Sequence, residues 1–276
     1  MDEYQKYFFD LNGYLVIEDF LSKETLGQLN GAIDANLDRI RRDEYSLAHG
    51  AAAFTGDQQR QEFDDALSWR EPWGDAFRSL ISHPQAVAYM LALIGDGFRC
   101  DTVKGTLMTA GTEGFTLHGG GGNPNSLSFY NVIGDQIRNG LMNISYVLTD
   151  VDPGDGGFVC IPGSHKSNFR CPSEVTRMEA GSEYLKPIPT KAGSVVIFTE
   201  ALVHGTLPWR AQQERRTVFV RYSPGAMSFR EDPMPPGYES FRSDLSPLQR
   251  AILEPPYYRG RPKIGELLQR EADESR

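Results

Sequence analysis

The chain has five histidines, His49, His83, His118, His165 and His204, and two of them stand where an imidazole could hold a metal ion. His118 follows Thr116 and Leu117 and opens onto Gly119, Gly120, Gly121 and Gly122; His204 follows the apolar run Ala201-Leu202-Val203 and precedes Gly205. A histidine at a strand end beside glycine can reach into a cavity with little crowding. Imidazole nitrogen suits Fe(II), and two histidines with open positions beside them form the core of a non-haem oxygenase site. From spacing alone, two histidines so far apart are read more simply as satisfied side chains at strand ends. His49 and His83 fall in helical or loop surroundings and take that plain reading.

A shared site requires elements that bring positions 118 and 204 together. From about Phe98 to Tyr222, short apolar runs alternate with Gly, Pro, Asn and Asp clusters: GLMNISYVL, DVDPGDGG and FVCIPG, then KAG, SVVIFTE and RRTVFVRY. That punctuation predicts short strands in a sandwich or barrel. The part before it, about 1–97, reads as helical. Ser22 can cap a helix whose apolar positions run Leu26, Leu29, Ile33, Leu37 and Ile40. A second helix is predicted from Ser82 and Pro84 through Val87, Met90, Leu91 and Ile94, stopping at Gly95. The polar stretch from Gln59 to Trp73 reads as a surface loop or lid. The tail, 226–276, is rich in Pro, Arg and Glu and reads as a wrapping segment with a helix near Leu248 to Leu253. The final EADESR reads as disordered. With no internal repeat, the expectation is one domain over 1–276 with its β core at about 98–225.

Composition excludes several classes. The net charge of −9 argues against nucleic acid as a partner. No apolar run is long enough to cross a bilayer. The N-terminus MDEYQKYFFD lacks the order of a signal peptide. Cys100, Cys160 and Cys171 are odd in number and irregularly spaced, which predicts buried or half-buried free thiols in a reducing, cytoplasmic setting.

Three segments carry a family resemblance. GGFVCIPGSHKSNF, FFDLNGYLVIEDFLSKETLGQL and VHGTLPWRAQQERRTVFVRYSPG resemble the phytanoyl-CoA dioxygenases, and the likeness runs from about Tyr7 to Gly225. It implies a mainly β fold with flanking helices, the double-stranded β-helix of jelly-roll or cupin type. It also implies Fe(II), 2-oxoglutarate and O₂ acting on a small-molecule substrate. The family's metal motif is His-x-Asp and a distant His, which map onto His118 and His204. Its 2-oxoglutarate arginine maps onto Arg215, whose planar fork suits a carboxylate. Arg216 should point to the other face of the strand. Thr206 is placed either to bond the same carboxylate or simply to end a strand, and Asn143 and Ser145 to line the cavity. His165, within PGSHK, is implied to be structural.

The sequence departs from the family at Gly120, where the motif has Asp. A glycine has no ligand to offer, which leaves iron one coordination position and one negative charge short. A halide supplies both, so the resemblance implies a halogenase-type site with chloride beside Gly120. The alternatives are a hydroxylase in which another carboxylate, such as Glu113 or Asp135, or a water ligates iron, and a non-catalytic small-molecule binder.

Overall fold

The structure, a computed structural model, describes residues 1–120 and 127–274. Gly121 and Gly122 lie outside the described residues. In chain order the strands are β1 (Tyr14–Ile17), β2 (Arg41–Arg42), β3 (Gln61–Phe63), β4 (Arg99–Met108), β5 (Phe115–His118), β6 (Tyr130–Ile133), β7 (Gln136–Asn139), β8 (Met142–Val147), β9 (Gly157–Cys160), β10 (Lys186–Pro187), β11 (Val195–Thr199), β12 (His204–Leu207) and β13 (Arg215–Ser223). The larger sheet has the order β1-β11-β8-β13-β4-β3-β2, the smaller β10-β9-β12-β5, and β6 and β7 form a separate hairpin. All of these pairings are antiparallel. The fold is a double-stranded β-helix with flanking helices.

Alternation along the strands explains the layers, since successive side chains point to opposite faces. On β13, Val218, Val220 and Tyr222 join the large core, together with Ile144 and Tyr146 of β8. That core also takes in residues of the N-terminal helices α1 (Glu3–Asn12), α2 (Lys23–Asp34), α3 (Trp73–Ile81) and α4 (Pro84–Leu93), and of the C-terminal tail. The opposite faces of the two sheets meet in a second cluster, where Met108, Val147 and Phe198 pack with Phe158 and Cys160. Arg215, Thr217, Phe219 and Arg221 belong to this inner face of β13, so polar side chains enter the space between the sheets.

Several expectations need correction. Ser22 does cap α2, accepting from the Thr25 backbone N–H, but the helix ends at Asp34 rather than Ile40. The Asn36 side chain donates back to the Ala32 carbonyl at 2.8 Å, satisfying an end carbonyl that a further turn would otherwise take. The N-terminal part is also not purely helical, because β1 forms an edge of the large sheet against β11. The stretch from Gln59 to Trp73 is not a surface loop. It contributes β3, and Phe63, Leu67 and Trp69 are buried. Gly105 permits this, since a Cβ there would lie 1.9 Å from the Phe63 ring.

After two short helices, α5 (Ser173–Thr176) and α6 (Tyr238–Phe241), the tail forms α7 (Pro247–Ile252) and α8 (Ile264–Glu274). The tail is therefore ordered to Glu274: Ile264 is buried, Leu267 and Leu268 pack on the core, and Asp96 accepts from the Ile264 N–H. Residues 275–276 lie outside the described residues. No helix among those described is long and apolar enough to cross a membrane.

Candidate metal centre

His118 ends β5 and His204 begins β12, and the two are direct cross-strand partners. Their ring centroids are 4.3 Å apart. The Nδ1 of His118 lies 3.0 Å from the Thr116 carbonyl, and the Nδ1 of His204 lies 2.8 Å from the Leu202 carbonyl. Each carbonyl accepts an Nδ1–H, which leaves each Nε2 with a free lone pair. This outer hydrogen bond is the pattern that orients metal-binding histidines. Burial, with the neighbouring His204 adding to the effect, pushes the His118 pKa down to about 4, so its imidazole is neutral and fit to ligate at neutral pH.

A third group joins them. Glu200 lies in the turn between β11 and β12, and His118, Glu200 and His204 offer ligand atoms within 4.8 Å of one another. This is the one such group of His, Cys, Asp and Glu among the described residues. One Glu200 oxygen, Oε1, accepts from the Asn143 amide at 2.5 Å and pairs with Arg221 at 3.0 Å. The other, Oε2, lies 3.9 Å from Nε2 of His204. Burial would raise the Glu200 pKa. Arg221, then both histidines and Asn143, outweigh it and hold the carboxyl down at about 2, so it is an anion.

These groups open onto a cavity of about 460 Å³ whose walls include Phe115, Phe158, Phe198, Phe219, Lys104 and Thr206. Arg215 is buried on the same face of β13 as Phe219 and Arg221, although it does not line the cavity itself. Its Nη1 contacts Met108 Sδ, and its Nε has no acceptor among the described residues. Burial lowers its pKa to about 10, with Arg60 adding to the effect. The hydroxyls of Thr217 and of its cross-strand partner Thr106 also lack partners. A buried guanidinium beside two unpaired hydroxyls is a cradle suited to a carboxylate.

The remaining sequence candidates fall into place differently. Asn143 lines the cavity, and its amide is spent on Glu200. Ser145 lies two residues further along β8, buried and opposite Phe219. Arg216 points away and pairs with Asp34 and Glu214. Glu113 accepts from Ser46 and the Leu47 backbone, and Asp135 lies in the β6–β7 turn, so neither is part of the group around the histidines. His165 ties its turn to α1 through the Asp10 carbonyl. Gly120 has φ +88°, and a Cβ there would meet Val203 at 2.8 Å, so this position is not shaped to carry a ligand side chain. Glu200 was absent from the sequence candidates. Its one signal is a carboxylate inside the apolar run FTEALVH.

Known proteins agree with this architecture. HygX from Streptomyces hygroscopicus, solved with nickel, 2-oxoglutarate and hygromycin B, is 20% identical with a TM-score of 0.67, covering 83% of this chain and 89% of its own. The non-heme alpha ketoglutarate dependent carbocyclase SnoK from nogalamycin biosynthesis is 19% identical with a TM-score of 0.61, covering 94% of each chain. The epimerase SnoN from the same biosynthesis is 17% identical with a TM-score of 0.57, covering 81% of this chain and 83% of its own. These likenesses establish the fold. No curated protein sequence matches. The family model for phytanoyl-CoA dioxygenase matches residues 9–217. The chain belongs to the phytanoyl-CoA dioxygenase family of oxygenases.

Proposed function

We propose that the protein is an Fe(II)- and 2-oxoglutarate-dependent enzyme that oxidises a small molecule bound in the cavity between its sheets. The observation that carries this is the His118–His204 pair, with both Nδ1 atoms engaged by backbone carbonyls and both Nε2 atoms free. Arg215 is the anchor for the distal carboxylate of 2-oxoglutarate, assisted by the hydroxyls of Thr106 and Thr217. Thr206, on the cavity wall two residues after His204, is placed to add a further hydroxyl. Iron with 2-oxoglutarate supplies the oxidising power. The protein's part is to orient both groups and to hold the substrate against aromatic walls. The relatives support the cofactor choice, since HygX is solved with 2-oxoglutarate and SnoK is described as dependent on it.

The nature of the oxidation depends on what completes the iron's coordination. A halogenase-type site would place chloride beside Gly120, to supply a charge and a ligand that glycine cannot. The buried Glu200 anion already supplies a negative charge beside both imidazoles, and this favours an oxygenase over a halogenase. Chloride added to the anaerobic protein with Fe(II) and 2-oxoglutarate should leave the visible charge-transfer band unchanged. A saturable shift would reinstate the halogenase. The iron assignment has its own test. Metal analysis of His118→Ala and His204→Ala should show loss of stoichiometric Fe(II), and full occupancy in both would overturn the reading.

A further inference from the structure

We infer that Glu200 is the third protein ligand of the metal, entering from the turn before the second histidine instead of from the position two residues after the first. The inference rests on the iron reading above and deepens it.

Three independent features lead to it. The first is aim. Oε1 is fixed by Asn143 and Arg221, which leaves Oε2 as the oxygen turned towards the histidines. An ion about 2 Å from each donor would draw the three ligand atoms to within roughly 4 Å of each other. The present limit of 4.8 Å is less than ~1 Å beyond that. The second is space. A Cβ on Gly119 would lie 2.4 Å from the Leu202 carbonyl oxygen and 2.6 Å from that of Glu200. The glycine after His118 therefore lets the turn bearing Glu200 lie directly against the end of β5. The residues that deprive position 120 of a carboxylate belong to the segment that makes room for another. The third is donor chemistry. Two imidazoles and one carboxylate on one side of an ion, with the remaining positions open, is the donor set of non-haem Fe(II) oxygenases.

Arg221 is the counter-charge that keeps Glu200 ionised in a buried setting, and its guanidinium lies 5.1 Å from the centroid of the Phe229 ring. Asn143 is a positioning residue for the carboxylate.

The test uses the whole chain with Fe(II) and with Co(II), whose visible spectrum reports its ligands, under anaerobic conditions. Glu200→Ala should weaken metal binding by ~100-fold or more, since loss of even an outer partner of a ligand costs 10–100-fold. Formate should restore much of the affinity by supplying a carboxylate. Chloride or azide should perturb the Co(II) spectrum of this variant at lower concentration than that of the wild type, because the variant has one more open position. Glu200→Gln, nearly isosteric, guards against misfolding and should also change the Co(II) spectrum. Wild-type affinity and spectrum in both variants, while His118→Ala loses metal, would sink the Glu200 assignment and leave the iron reading standing. Loss of affinity that formate does not restore, with an unchanged Co(II) spectrum in Glu200→Gln, would reduce Glu200 to a partner of Arg221. A wild type that binds neither ion would overturn both readings together.

Discussion

At the scale of single residues, the two adjacent arginines of β13 separate cleanly. Arg215 lies in the interior without a carboxylate partner among the described residues, whereas Arg216 is paired with Asp34 and Glu214. Truncating one side of a buried charge pair costs about 2–5 kcal/mol, or roughly 30- to 4,000-fold in Kd. Arg215→Met should weaken 2-oxoglutarate by that range in anaerobic calorimetry, and Arg216→Met should leave it nearly unchanged. The ligand-free Arg215→Met protein should be no less stable than wild type, because the change removes an uncompensated buried cation. A variant that binds 2-oxoglutarate normally, or one that unfolds, would deny Arg215 this role.

At the scale of elements, β3 shows how packing sets a cavity wall. Phe63 lies over Gly105 of β4, and its neighbours Arg60 and Asp64 line the cavity. Arg60 is held in turn by ion pairs to Asp43 and Glu62. A methyl at position 105 has no room, so Gly105→Ala must displace the Phe63 ring. Overpacking of this kind costs about 1–3 kcal/mol. Thermal unfolding should report a loss in that range. The same variant should bind substrate more weakly while keeping iron, since the histidines belong to the other sheet. Unchanged stability would mean that β3 yields freely.

At the scale of the whole molecule, the N-terminal helix is fastened to the β core through a buried histidine. His165 Nε2 meets the Asp10 carbonyl at 3.0 Å, while Lys166 pairs with the Asp10 side chain and Tyr130 donates to it. Burial pushes the His165 pKa down to about 4, and the Asp10 carbonyl only partly offsets this. The unfolded chain takes up a proton near pH 6.5 and the folded protein resists it until about pH 4. Stability from this residue is therefore complete above pH 6.5 and declines as pH falls towards 4, by up to about 3 kcal/mol. Denaturant melts of the metal-free protein should trace that decline, and His165→Gln should make it shallower, with the part due to His118 remaining. Equal slopes in the two proteins would exclude His165 as the source.

The sequence by itself determined the strand-rich core, because alternating apolar runs broken by Gly and Pro clusters can bury only one way. It determined the caps at Ser22 and the stop at Gly95 for the same local reason: a side-chain oxygen and a left-handed backbone act within a few residues. It also marked His118, His204 and Arg215 as candidates, through the likeness of the motifs around them to one family and not through their spacing. The helix end at Asp34, the burial of β3 and the order of α8 were hidden, since each depends on a surface supplied from elsewhere in the chain. Glu200 is the clearest case. Four residues before His204, it could have faced solvent, core or cavity. The turn from Glu200 to Val203, the close approach of Gly119 and the hold of Asn143 and Arg221 turned one oxygen towards the histidines, and only the folded chain brings those residues together.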